Sequence, residues 1–321
     1  MSIIPFICLG VGITLGLIVK NEKFYIYSDK ISTFALILLM LVIGLGIGLD
    51  KSIIDNFLKI GINCAVIAIA AIAFSVILTY IVEKTVPPSN KIDGAMAENN
   101  EQLNTQCKEN AINDEEDKKG SNLVWIMPAS IIAGLVAGVL LRTAISPSSI
   151  DTFFTVALII LYICVGISQA ANKEVFYYLK FMGFKVVLIS IAILFGSLIG
   201  GVVSGLILKL PLYISTTSAA GMSFYSITGV YMTQQYGIEI GTYGFIVNVM
   251  REFFTVLTMP LLIKISPGAP IAGGAAGNMD TMLAPITKFV GIRLSLITLL
   301  TGTILTFVVP LLLPVVSVIF Q

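Results

Sequence analysis

Seven stretches of this chain run for 17 to 28 residues without a charged side chain. A helix needs about 20 mainly apolar residues to cross the hydrocarbon core of a bilayer. An eighth run, Ile240–Ile263, is apolar except for Arg251 and Glu252. We therefore predict an all-α integral membrane protein with about eight transmembrane helices. The seven uncharged runs are Ile3–Val19, Ile31–Leu49, Ile60–Val82, Gly120–Leu141, Thr152–Asn172, Val186–Leu208 and Leu294–Gln321.

Two further apolar stretches, Leu212–Tyr236 and Ile265–Gly291, are rich in Gly, Ser, Thr and Pro. Backbone that leaves the helix at membrane depth is tolerated only where protein or a water-filled cavity satisfies its polar groups. We expect both stretches to be discontinuous or re-entrant segments. Surface loops and plain spans are the alternatives, because membrane helices tolerate glycine freely.

Residues of the first helices recur at a constant offset of 122 residues, without gaps. Each copy of this repeat contains three predicted helices, so the second copy enters the membrane upside down. Inverted repeats of this kind are typical of transporters, with the binding site at the repeat interface near the middle of the membrane. The matched glycines and charges are Gly12–Gly134, Gly16–Gly138, Lys20–Arg142, Asp29–Asp151, Gly44–Gly166, Lys51–Lys173 and Gly61–Gly183.

The predicted helices divide the chain into four parts. Residues 1–82 form the first three-helix repeat, and residues 120–208 form the second, inverted one. The polar, acidic linker 83–119 between them has the composition of a solvated and partly disordered cytoplasmic segment. Residues 209–321 form a C-terminal transport region with two broken segments and two helices.

The distribution of Lys and Arg predicts how the chain is oriented. An extracytoplasmic N-terminus places 14 of these residues on the inner side and 4 on the outer side, as the positive-inside rule favours. Both termini are then extracytoplasmic, provided that the irregular segments re-enter without crossing. The N-terminal segment lacks the basic region and cleavage site of a signal peptide, so we expect a retained helix.

Composition excludes several functions. Charged residues make up 12% of the chain, against about 25% in a typical soluble domain. The net charge of +1 gives no basis for nucleic-acid binding. There is no His, so carboxylates, Lys, Tyr or water must handle any protons. The four Cys show neither disulfide nor metal-site spacing, and we predict no metal and no cofactor.

Charged side chains inside a membrane span are costly, which makes them functional candidates. Glu252 lies near the middle of its apolar run, with Asn248 and Thr255 one turn away on the same face. Desolvation favours the neutral carboxyl there, so the group can take up a proton on one side and release it on the other. Arg251 points about 100° away around the helix. The alternative is that Arg251 and Glu252 each find structural partners within the bundle.

Two other acidic residues are candidates. Asp280 follows Gly274 and Gly277, which let the backbone approach a ligand closely; capping of a short helix is the alternative. Asp50 ends the second predicted helix, and its repeat partner is Asn172. An ordinary helix-end Asp is the alternative for Asp50.

The first irregular segment offers hydroxyl groups beside glycines, including Tyr225, Ser226 and Thr228. Broken helices present backbone N–H groups that bind carboxylates and C=O groups that bind ammonium. An amino acid carries both groups, and lysine adds a side-chain ammonium for Glu252 or Asp280. Packing between helices also uses small residues and is the alternative explanation.

Four strings in the C-terminal third agree in order and spacing with a known family. Over about Val186–Gly291 the chain resembles the LysO-type lysine exporter family, and its first helices agree more loosely, at Gly44 and Asp50. The strings that carry the resemblance are Ser197-Leu198-Ile199-Gly200-Gly201, Tyr225-Ser226-Ile227-Thr228-Gly229, Arg251-Glu252 and Asn278-Met279-Asp280.

The resemblance implies secondary active export of L-lysine, related cationic amino acids and toxic lysine analogues by proton antiport, in the bacterial inner membrane. It also implies that Glu252 and Asp280 are the essential acids. Asn248 stands where some relatives have Asp, so this site holds less negative charge. The implied partners are a lysine-like cation, protons and the lipid bilayer, with a homodimer left open. The candidate substrate- and proton-binding residues are Glu252, Asp280, Asp50, Asn248, Asn278, Ser226, Thr228 and Tyr225.

Three other functions stay open at this point. A sodium-coupled carrier of small organic anions also fits an inverted repeat with broken helices. An intramembrane hydrolase would form product without any gradient. A channel would show a flux that does not saturate.

Overall fold

The computed structural model describes residues 4–19, 22–49, 57–85, 129–130, 132–140, 147–171, 184–279 and 281–321. All regular structure within these ranges is helical, and no strand occurs among them. The expected all-α architecture is thus confirmed for the part of the chain that is described. The short stretch at 132–140 is helical as well and is called the 132–140 helix below.

The named helices follow the predicted apolar runs closely. Most of them extend a few residues beyond the run, because a helix continues into the polar ends of a span. The bounds are α1 Ile4–Ile18, α2 Glu22–Leu49, α3 Phe57–Thr85, α4 Pro147–Ala171, α5 Phe184–Leu208, α6 Leu212–Ala220, α7 Tyr225–Tyr236, α8 Ile238–Ile265, α9 Ala269–Gly274, α10 Leu283–Val290 and α11 Ile292–Ile319, with a 3-10 turn at Ala275–Met279.

Five helices of the described ranges are long and apolar enough to cross a membrane. Two shorter apolar segments, Ile7–Ile18 and Thr155–Ile167, lie within α1 and α4. Parts of the predicted run Gly120–Leu141 fall outside the described residues, so the count of eight spans stays a prediction. The five candidate spans are Phe24–Val42, Leu58–Thr85, Val186–Leu208, Ile238–Ile265 and Leu294–Ile319.

The helices pack in two groups. In the first, α4 packs against α1 and α2. In the second, α3 and α5 pack together and support α6, α8 and α9, while α11 covers the 3-10 turn and α10. The second group contains both irregular segments and therefore carries the candidate site.

Glycines bring several pairs of helices into backbone contact, because a glycine adds no side chain between neighbouring backbones, and two of these pairs are related by the offset of 122. Glycines of α1 pack on carbonyl oxygens of α4, and glycines of the 132–140 helix pack on carbonyl oxygens of α2. The second set of contacts follows from the first when 122 is added to each glycine number and subtracted from each carbonyl number. The pairs are Gly12–Ile163, Gly16–Ile167, Gly134–Leu41 and Gly138–Leu45.

Both irregular segments are interrupted helices, as the sequence predicted. The first breaks between α6 and α7, where Met222 and Ser223 have φ of 48° and 74°. The second breaks after α9, where Ala275 has φ of 50°. Non-glycine residues rarely adopt positive φ, and such strain persists only where the surroundings fix it. The Ala276 N–H donates to the Met222 carbonyl over 2.9 Å, so the two breaks touch each other.

Candidate functional site

Glu252 lies in the middle of α8, 14 residues after the start of the helix and 13 before its end. Its side chain is only 9% exposed. Its Oε1 atom accepts a hydrogen bond from the Thr281 hydroxyl at 2.9 Å. A side-chain carbon at Gly277 would stand 2.7 Å from the same oxygen. The carboxyl of α8 therefore lies directly against the second interrupted segment.

Asn248, one turn before Glu252, holds the first interrupted segment. Its Oδ1 accepts from the backbone N–H of Ser223 at 2.7 Å. Its Nδ2 donates to the carbonyls of Ser218 at 2.9 Å and Gly244 at 2.8 Å. The wholly buried amide thus binds a carbonyl of α6 and a backbone N–H within the break between α6 and α7.

The hydroxyl residues of the first segment lie near this amide without forming one cluster. Gly221 packs against both the Thr228 hydroxyl and the Asn248 amide. Thr228 donates to the Phe224 carbonyl at 2.8 Å, which satisfies its hydroxyl locally. Ser226 is buried, and the Tyr225 ring packs edge-on against Phe245 with centroids 5.7 Å apart.

Asn278 shapes the second segment. Its Nδ2 donates to the Ile271 carbonyl at 2.7 Å, folding the 3-10 turn back onto α9. Its Oδ1 is buried without a hydrogen-bond partner, and so is the Thr255 hydroxyl, which packs against Gly273. Buried polar atoms usually have partners, so these two oxygens are exceptions within the described part of the site.

Arg251 faces away from Glu252, as helix geometry predicted. Its Nε donates to the Gly273 carbonyl and its Nη2 to the Ala272 carbonyl, both at 3.0 Å. Its Nη1 donates to Ser197 Oγ at 2.7 Å and its Nη2 to Ser75 Oγ at 3.2 Å. The guanidinium therefore binds four neutral oxygens.

Two of the predicted acids, Asp50 and Asp280, lie outside the described residues. The described neighbours of Asp280 in the chain are Met279, at the end of the 3-10 turn, and Thr281, which donates to Glu252. The pairing of Asp280 with Glu252 stays a prediction.

Sequence reasoning missed Thr281 and the two serines that bind Arg251. Thr281 gave no signal of its own, because its importance comes from a contact with Glu252, 29 positions away. The two serines did give a signal in the sequence, since Ser75 and Ser197 are separated by the repeat offset of 122. Extending the repeat comparison into its third helices would have paired them.

The site combines a buried carboxyl with two unwound backbone segments at the middle of the second helix group. A carboxylate in such a place is stabilised either by a cation or by taking up a proton. Interrupted helices add backbone donors and acceptors at the same depth. The arrangement offers a carboxyl that can bind a cationic group or a proton, beside backbone donors and acceptors.

Comparison with known proteins gives one family. The sequence model of the family described as "Lysine exporter LysO" matches residues 6–97 and 129–317. The "Lysine exporter LysO" of Escherichia coli K12 is 28% identical over 155 residues, which are 48% of this chain and 52% of that protein. The "Putative lysine exporter" of Haemophilus influenzae is 30% identical over 117 residues, 36% of this chain and 60% of that protein. The matches thus span about half to three-fifths of these relatives, and no solved structure matches.

Proposed function

Because the chain belongs to the lysine exporter LysO family, we propose that it exports L-lysine and related cationic amino acids, including toxic lysine analogues, in exchange for protons. Family membership and the apolar helices together support a multi-pass position in the bacterial inner membrane. We propose in addition that both termini are extracytoplasmic, with the linker 83–119 on the cytoplasmic side.

The observation that carries the proposal is the burial of Glu252 halfway along α8, against Gly277 and Thr281. A carboxyl at this depth costs several kcal/mol when it is ionised without a partner. The cost is relieved by a bound ammonium or by a bound proton. Lysine and protons therefore compete for the same group, which couples their movements.

The transport cycle follows from this competition. In the inward-facing state, the ionised Glu252 and Asp280 bind the lysine cation. In the outward-facing state, protons displace the lysine into the medium. The neutral carboxyls let the empty carrier return, and the protons leave on the cytoplasmic side. The return of an empty carrier with an unpaired, buried carboxylate is unfavourable by several kcal/mol. Movement of lysine without exchange for protons is therefore suppressed.

The backbone at the two breaks is suited to the α-amino acid part of the substrate. The first turn of a helix presents N–H groups for a carboxylate, and the end of a helix presents C=O groups for an ammonium. Helices α6 and α7 end and begin at the first break, and α9 ends at the second. Ser226, Thr228, Tyr225, Asn248 and Asn278 line these stretches, and Asp50 is a further acid that we assign to the pathway.

An inverted repeat accounts for the position of the site. The glycine contacts of α1 with α4 and those of the 132–140 helix with α2 interconvert through the offset of 122, which supports a two-fold relation between residues 1–82 and 120–208. Ser75 and Ser197 are equivalent under this offset and hydrogen-bond to each other at 3.1 Å. Two equivalent residues that contact each other lie beside the two-fold axis that relates the repeats. In an inverted repeat this axis lies in the membrane plane, so Arg251 and Glu252 are close to mid-depth.

The test is exchange in vesicles that contain the purified protein. We expect a proton gradient to drive labelled lysine against its concentration gradient, and lysine movement to shift the internal pH. In Glu252→Gln, both movements should be lost together, because the amide binds neither a proton nor an ammonium in the same way. Glu239→Gln is the control, since Glu239 is exposed at the start of the same helix.

Other outcomes separate the competing functions. Uptake that requires sodium and accepts organic anions would indicate a sodium-coupled carrier. A flux that rises without saturation would indicate a channel, and product formation in detergent would indicate a hydrolase. Unchanged proton coupling in Glu252→Gln would remove this residue from the mechanism.

A further inference from the structure

Arg251 is a buried charge that the exchange of lysine for protons does not use. Its side chain is 1% exposed, and arginine keeps its charge in proteins. Burying an isolated charge is far more costly than burying a neutral side chain of similar size. All three guanidinium nitrogens already donate to oxygens of the protein, so the group is not a free receptor for the substrate carboxylate.

Two of the four partners lie at the contact between α3 and α5. Ser75 comes from α3 and Ser197 from α5, and the two hydroxyls hydrogen-bond to each other at 3.1 Å. They occupy equivalent positions of the proposed repeat, so Arg251 reaches both repeats through the same chemical group. The backbones of α5 and α3 are in contact at Gly196 and Ser75, so the two helices are closely packed at this level.

The other two partners lie at the end of α9. The carbonyls of Ala272 and Gly273 accept from Arg251 immediately before the strained Ala275. Carbonyls at the end of a helix carry partial negative charge and are stabilised by a cation. Beyond the break, Gly277 and Thr281 contact the Glu252 carboxyl.

We propose that Arg251 is a positioning residue for transport. Its guanidinium is anchored on Ser75 and Ser197, holds the end of α9, and thereby fixes Gly277 and Thr281 against Glu252. This inference rests on the proposed function and adds a residue that acts through Glu252 without touching the substrate. Because the two serines support one guanidinium from equivalent places, removing either hydroxyl has the same effect on substrate binding.

The test compares serine variants in lysine exchange by reconstituted vesicles. We expect Ser75→Ala and Ser197→Ala each to raise the lysine KM by roughly tenfold and by similar factors, since each removes a hydrogen bond to a charged group. The maximal rate per correctly folded protein should change much less. A loosened guanidinium lets the second break shift away from Glu252, which weakens binding before it slows turnover.

Ser190→Ala and Ser204→Ala are matched controls. Both serines are buried on α5, seven residues before and after Ser197, and bond to carbonyls of their own helix at 3.0 Å. Their lysine KM should equal that of the unchanged protein. Arg251→Gln leaves several buried oxygens without donors and is expected to impair folding, so the serine variants decide the question.

An unchanged KM in both Ser75→Ala and Ser197→Ala, or a rise in only one of them, would overturn the inference. A similar loss in all four serine variants would also overturn it, because it would indicate general destabilisation. Failure of the proposed function looks different, since the unchanged protein would then show no lysine exchange at all.

Discussion

Asn248 shows how one side chain can hold an interrupted helix together. It accepts from the Ser223 N–H, which lies within the first break, and donates to the Ser218 carbonyl of α6, which precedes the break. A carboxylate at this position would accept the first bond and could not donate the second. The neutral amide therefore suits the structure at this point, whereas the exchange that we propose uses the carboxyl of Glu252.

Replacing Asn248 by Ala should destabilise the protein by about 2–3 kcal/mol, because the buried Ser223 N–H loses its acceptor and the Ser218 carbonyl loses one of its two donors. Asn248→Asp should recover only part of this loss. The measurement is thermal unfolding in detergent, followed by circular dichroism. Asn63→Ala is the matched control: Asn63 is also buried, but it bonds to the Tyr243 hydroxyl, and its loss should cost less. Equal melting temperatures for the unchanged protein and Asn248→Ala would contradict this role.

At the residue scale, the sequence identified Glu252 and Asn248 by their place in an apolar helix and by their spacing. It did not identify what they touch. Their partners are Ser218, Ser223 and Thr281, which come from other elements, and only the folded chain brings them together. The prediction that Arg251 and Glu252 point apart did follow from helix geometry alone.

At the element scale, apolar runs predicted the helices well and their beginnings less well. Helix α2 starts at Glu22, nine residues before the apolar run Ile31–Leu49. Hydropathy reports the apolar part of a helix, and a helix continues through charged residues such as Lys30 once it has left the hydrocarbon region. The interruptions were predictable from Gly, Ser and Pro, whereas the backbone angles at Met222, Ser223 and Ala275 were not.

The glycine contacts between helices give a prediction at this scale. Gly12→Ala and Gly134→Ala each place a methyl group against a carbonyl oxygen of the neighbouring helix, Ile163 and Leu41 respectively. Overpacking of this kind costs about 1–3 kcal/mol, and the two losses should be similar if the repeats are equivalent. Thermal unfolding of the purified variants measures both. Gly10→Ala is the control, since nothing lies within 4 Å of an added carbon there. If the losses of stability in Gly12→Ala and Gly134→Ala differ strongly, the two sets of glycine contacts are not equivalent.

At the scale of the whole molecule, the two helix groups differ in content. The group of α1, α2 and α4 contains glycine contacts but neither break, and the group of α3 and α5 to α11 contains the buried Arg251 and Glu252 and both breaks. Composition predicted a membrane protein, and the repeat offset predicted which helices are equivalent. The contact between the two breaks could not be predicted from the sequence, because it depends on how helices far apart in the chain cross.

Native cysteines allow the proposed orientation to be tested. Cys8, Cys64 and Cys164 are buried, and Cys107 belongs to the linker 83–119, outside the described residues. We expect a membrane-impermeant maleimide to leave the protein unlabelled in intact cells and to label one site once the inner membrane is permeabilised. Cys107→Ser should abolish that labelling. Labelling of Cys107 in intact cells would reverse the assignment of the linker to the cytoplasm.

The hydrogen bond from Ala276 N–H to the Met222 carbonyl gives the two interrupted segments a common junction. A compound that inserted there would part this bond and disturb both segments at once, whichever of them moves first. Such a blocker would not need to imitate an amino acid. It would have to match the shape of two backbones where they cross, so inhibitors of this protein could be sought among molecules with no positive charge.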